Sequence, residues 1–178
     1  GSPWPMSNNP QALFNDRNQP GCNLDLPLWQ IIRASTAAPT FFPPEVIEIT
    51  DQKSAHITKH IFAFEDGGVT PFNNPSYLLY TMATLPEYRL QWPDGKERMS
   101  LVSIGTGRVK TGRGSKLEEN LLGQAMSGPA ALISSAQWIQ DLLCRQHGEC
   151  RHGAPLDSEL GDMIRENPQA AFLYSRYD

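Results

Sequence analysis

The stretch "SLVSIGTG", residues 100–107, is nearly all apolar and closes on glycines. A short apolar run ended by turn residues predicts a strand covered on both faces, the kind that sits in a parallel sheet. Upstream, "PSYLLYTMATL" (residues 75–85) predicts a helix, with Asn74 as N-cap and Pro75 at the first helical position. Downstream, residues 117–144 predict a long helix with a break or kink at Gly128-Pro129. The last segment, "QAAFLYSRYD", predicts a second strand. Helices alternating with short apolar strands place the chain in the α/β class, as a layered domain with a largely parallel sheet.

The first half is less regular. Residues 1–27 are rich in Pro, Asn and Gly and predict loop. "DLPLWQIIRASTAAPT" (residues 25–40) has Leu28, Ile31 and Ile32 at helical spacing. Asp25 is its expected N-cap, Pro27 lies in the first turn, and Pro39 sets the far limit. "EVIEIT" and "HIFAF" are β-branched and aromatic, so both predict strands, joined through the polar "DQKSAHITK" by a hairpin or an outer excursion.

Composition excludes several classes of function. The 178 residues are 39% hydrophobic and 19% charged, ordinary globular values for one domain. A net charge of -4 offers no footprint for nucleic acid. No apolar run reaches the length of a membrane span, and no secretory h-region opens the chain. The opening "GSPW" leaves the true N-terminus an open matter, since Gly1-Ser2 is either native or a cloning scar. Three cysteines, Cys22, Cys144 and Cys150, do not make a disulfide framework, and a reducing cytoplasm is the default.

"EDGGVTPFNNPS" (residues 65–76) carries the chemistry. Asp-Gly pairs favour turns, and from "EDGG" alone a turn is the better reading. Two details favour more. The following "VTPFNNP" leads into a helix rather than a partner strand, and the preceding "HIFAF" is apolar enough to be central. Ligands of open α/β sheets bind outside the carboxyl ends of strands, which is where Asp66 is expected.

Three strings stand in order: "RASTAAPTFFPP" (residues 33–44), "DGGVTPFNNPS" (residues 66–76) and "SIGTG" (residues 103–107). Together they resemble the patatin-like phospholipase family, over about residues 20–110. The resemblance implies a three-layer α/β/α patatin-like fold and a lipid acyl hydrolase of phospholipase A type. It acts through a serine–aspartate dyad without histidine, metal or cofactor. Asp66 matches the dyad acid, and Gly67 and Gly68 are expected to let the backbone turn sharply and leave the carboxylate uncovered. The family's G-x-S-x-G serine has no counterpart: Ser103 has Gly105 after it but Leu101 before, and Ser127 has Gly128 beside it but Ala125 two before. The N-terminal Gly-rich oxyanion loop is absent as well. Residues 1–178 therefore resemble the later portion of a single patatin-like domain. The nucleophile segment of the same protein is an expected partner, and this chain alone is expected to be inactive. The substrate implied is a phospholipid or other fatty-acyl ester, met at a membrane surface in transient contact by a cytoplasmic or membrane-peripheral protein. A non-catalytic lipid- or protein-binding module on the same fold is the alternative.

Two further clusters have plain readings. Arg108, Lys110, Arg113 and Lys116 lie on a Gly-rich loop, usually solvated, and less often a contact for anionic headgroups. Cys144, His147, Cys150 and His152 fall within nine residues, but their spacing is not that of a zinc finger. Free thiols at a helix end are expected there, with no bound metal.

Overall fold

The computed structural model describes residues 2–19, 21–53, 56–107 and 121–178. The basic loop with Arg108, Lys110, Arg113 and Lys116 lies outside the described residues, as do the first four residues of the predicted long helix. The chain forms two units, one of Gly1–Gly68 with Leu85–Gln91, the other of Val69–Thr84 with Trp92–Asp178.

In the first unit, helix α1 covers Leu28–Ser35 and begins after Pro27, whose extended backbone sets the entry. Asp25 is not its cap: it ends a 3-10 turn of Asn23–Asp25, and the cap position of α1 is held by Pro27, which makes no side-chain cap hydrogen bond. Strands β1 (Glu45–Lys53) and β2 (His56–Phe64) form an antiparallel hairpin, paired from Glu45↔Phe64 to Lys53↔His56. Both are longer than their apolar runs, because ladder hydrogen bonds carry the polar residues near the hairpin end as readily as the apolar ones. Ile47 is buried, while Val46 and Ile61 on the other face are exposed. Trp4 packs edge-on to Phe62, with ring centroids 4.8 Å apart, and covers Phe64 at 5.4 Å. Thus among the described residues β2 belongs to a two-stranded antiparallel hairpin, and not to the centre of a parallel sheet as its apolar run suggested.

The second unit holds helix α2 (Ser76–Thr84), strand β3 (Ser100–Ile104), helix α3 (Leu121–His147), strand β4 (Glu149–His152) and strand β5 (Leu173–Tyr177). Its sheet has the order β3-β5-β4 and is parallel throughout, which makes the chain an α/β protein. Leu101 pairs with Tyr174, and Tyr174 with Cys150, so these three share a face. That face packs against Cys144 of α3 and Tyr77 and Tyr80 of α2, with Phe172 buried among them. The other face carries Val102 and Ile104, 56% and 78% exposed. The expectation that β3 is covered on both faces therefore fails among the described residues: it is an edge strand with one covered face. Helix α3 runs on through Gly128-Pro129, where a break or kink was expected, so the chain does not break there.

Buried ion pairs close this unit. Arg145 donates to both Asp141 oxygens, at 3.0 and 2.8 Å, and to the Ala154 and Asp162 carbonyls, at 2.9 and 2.7 Å. It thereby staples the loop after β4 to α3. Glu149 accepts from Lys96 and the Asn167 backbone and pairs with Arg151. Gly148 makes the tight passage from α3 to β4; a Cβ there would lie 2.6 Å from the Phe172 ring and 2.8 Å from the Cys144 carbonyl.

Candidate functional site

Asp66 lies two residues beyond the end of β2 and is half-buried. Its backbone N–H donates to the Ala37 carbonyl at 3.1 Å, and Ala37 is itself buried. The "RASTAAPT" segment and the "DGG" turn are thus held against each other. The Asp66 Oδ1 atom accepts from the Gly68 backbone N–H at 2.7 Å. One carboxylate oxygen is therefore fixed by its own turn, an arrangement common to aspartates in turns.

Neither Gly67 nor Gly68 has a positive φ, so the turn does not use the left-handed freedom of glycine; Gly67–Val69 form a 3-10 turn instead. The two glycines serve differently. A Cβ on Gly67 would meet nothing within 4 Å, whereas one on Gly68 would stand 3.0 Å from Asp66 Oδ1. At Gly68 the missing side chain makes room for the carboxylate.

The rest of the motif belongs to the second unit. Asn74 is almost fully buried, and its Oδ1 accepts from the Ser76 backbone N–H at 3.3 Å and the Ser76 hydroxyl at 2.7 Å. It also accepts from the Ser103 hydroxyl at 3.1 Å. The N-cap predicted for α2 therefore doubles as the tie between "NNPS" and "SIGTG". The Ser103 oxygen in turn accepts from Arg176 Nη1 at 2.6 Å. Ser103, the nearest approach to a nucleophile elbow in the sequence, is buried and bonded on both sides. Ser127 lies within α3.

The hydroxyl of Tyr174 is buried beside Asn74 and Asp141, and burial pushes its pKa well up. Burial likewise pushes the Cys144 thiol to about 12, so Cys144 stays protonated at neutral pH. Of the four candidate metal ligands, Cys144 and Cys150 are buried in the core, His147 lies against Tyr77 and His152 stacks on Tyr177. Among the described residues no three His, Cys, Asp or Glu side chains are grouped to hold a metal ion. No helix among them is long and apolar enough to cross a membrane.

Arg176 is the polar residue that sequence reasoning missed. It sits in a strand of alternating pattern, and nothing in "YSRYD" signals that its side chain turns inward to Ser103.

The chain is similar to Patatin-like protein 1 of Arabidopsis thaliana, with 34% identity over 94 residues. That covers 49% of the chain and 22% of the relative, so the chain spans about a fifth of that protein's length. No protein-family profile matches the chain, and no solved structure matches it.

Proposed function

We propose that residues 1–178 are part of a lipid acyl hydrolase in which Asp66 is the base of a serine–aspartate dyad. The observation that carries this reading is the Asp66 carboxylate, with Oδ1 anchored to the Gly68 N–H and open space beside Gly67. Anchoring one oxygen leaves the other to take a proton from a serine hydroxyl, which is a weak nucleophile until a base is beside it. The serine attacks the ester carbonyl, the proton passes to the departing alcohol, and an acyl-serine forms. Asp66 then takes a proton from water as the water oxygen attacks the acyl carbonyl; the bond to the serine oxygen breaks, that oxygen regains the proton from Asp66, and the fatty acid leaves.

The serine comes from a segment of the same protein outside residues 1–178, together with the amides that stabilise the oxyanion. The substrate is a phospholipid or other fatty-acyl ester. Contact with a lipid surface finds support in α1 and the turn after it, where Leu28, Trp29, Ile32, Phe41 and Phe42 are all exposed. Arg33 sits under Phe42, 5.3 Å from its ring centre, and bonds the Pro43 carbonyl, so the turn lies close along α1.

The test compares hydrolysis of a short-chain chromogenic ester by residues 1–178 alone and by a protein that also carries the nucleophile segment. Turnover is expected only in the second, and a serine-directed phosphonate should block it. Phosphonate-sensitive turnover by residues 1–178 alone would contradict the assignment of the nucleophile elsewhere.

A further inference from the structure

A cleft of about 230 Å³ lies at the carboxyl ends of β3 and β5. Ser76, Ser103, Gly105, Gln137, Arg176 and Asp178 are among its walls. Arg176 is only 7% exposed, and a guanidinium cannot shed its charge. Burial on that scale requires a countercharge. Asp178 supplies it, with Oδ1 2.6 Å from Arg176 Nη2.

The Asp178 side chain is only 10% exposed. The carboxylate reaches back over Gly105. A Cβ on Gly105 would overlap Asp178 Oδ1 and come within 2.7 Å of Arg176 Nη2. Glycine is thus required there for a carboxylate to be seated. The seat has capacity left over: Arg176 Nε is buried and has no hydrogen-bond partner among the described residues. Nη1 is committed to Ser103 at 2.6 Å. Ser76, the first residue of α2, and Pro75 before it border the same cleft, which adds the positive end of a helix.

We propose that the seat between Gly105 and Arg176 binds an oxyanion of a ligand, a carboxylate or a phosphate group, and that the Asp178 carboxylate is its built-in occupant. Arginine presents its N–H groups as a planar fork that matches either group. A ligand oxyanion takes the place of the Asp178 carboxylate by rotation of the Asp178 side chain. The internal carboxylate competes with the ligand and raises its apparent Kd by the reciprocal of the fraction of time the seat is open. This inference stands apart from the role given to Asp66.

The test is calorimetric titration of the full chain with sodium phosphate and with sodium acetate, at ionic strength held constant with sodium chloride. Asp178→Asn removes the competitor and should bind at least about tenfold more tightly than the parent. Asp178→Ala should reproduce the gain, and Arg176→Lys should reduce it by losing the fork. Tighter binding of phosphate assigns the seat to a phosphoryl ligand, and tighter binding of acetate to a carboxylate ligand. Equal affinity of parent and both Asp178 variants, or no saturable binding by either variant, overturns the proposal.

Discussion

Replacing Gly67 and Gly68 by alanine, one at a time, separates the turn from the carboxylate it carries. Both residues have φ values that alanine adopts without strain, so neither change acts through the left-handed region. The difference is in the space around them. The new methyl at position 67 meets nothing within 4 Å, while that at position 68 stands 3.0 Å from Asp66 Oδ1. An ordinary carbon–oxygen contact is about 3.4 Å, so the carboxylate has to retreat by roughly 0.4 Å. A misplacement of about 1 Å at a reacting group costs about a hundredfold in rate, so this retreat scales to roughly three- to tenfold. The assay is kcat on a fatty-acyl ester in a protein that includes the nucleophile segment, with the melting temperature measured on the same preparation. Gly68→Ala should lower kcat by that factor, and Gly67→Ala should leave it within about twofold. Equal effects, or a larger loss from Gly67→Ala, would refute the claim that Gly68 sets the place of the carboxylate.

Two more outcomes follow from the buried charges. Arg145→Met leaves Asp141 without its buried countercharge and should cost about 3–5 kcal/mol, which for a chain of this size lowers Tm by roughly 6–20 °C in thermal unfolding; a loss under about 1 kcal/mol would mean the staple carries nothing. Lys96, then the Asn167 N–H and the Arg151 charge, hold the Glu149 carboxyl below the usual range. A lowered native pKa adds stability that is fully present above the unfolded value and is lost as pH falls through the native one. Glu149→Gln should therefore flatten the acid limb of a plot of stability against pH, and an unchanged limb would contradict this.

Residues whose environment follows from their neighbours in sequence were legible. Asn74 and Pro75 announced α2, and the β-branched runs "EVIEIT" and "HIFAF" announced the hairpin strands, because capping and strand propensity are local. The short strand β4 was not legible: Glu149–His152 carries two charged residues, Glu149 and Arg151, among its four and owes its place to Phe172 and Tyr174 beyond it in sequence. The reading of β3 failed for a related reason. "SLVSI" is apolar at Leu101 and Val102 alike, and only the register with β5 decides which of them is covered. At the candidate site, Asp66 could be named from the motif, but not the distinct roles of Gly67 and Gly68. Hydrogen bonds also join neighbouring strings. Asp66 N–H to Ala37 ties the first to the second, and Asn74 to Ser103 ties the second to the third. Both are long-range hydrogen bonds that no local pattern signals.

The most direct test of the account is Asp66→Asn in a protein that carries the nucleophile segment, with ester hydrolysis and Tm measured together. Asparagine keeps the shape, can still accept from the Gly68 N–H, and is itself favoured in turns, but it cannot serve as the base. The account predicts hydrolysis lower by roughly two to four powers of ten, with Tm nearly unchanged. Near-normal hydrolysis by the asparagine variant would contradict it and leave Asp66 as a turn residue.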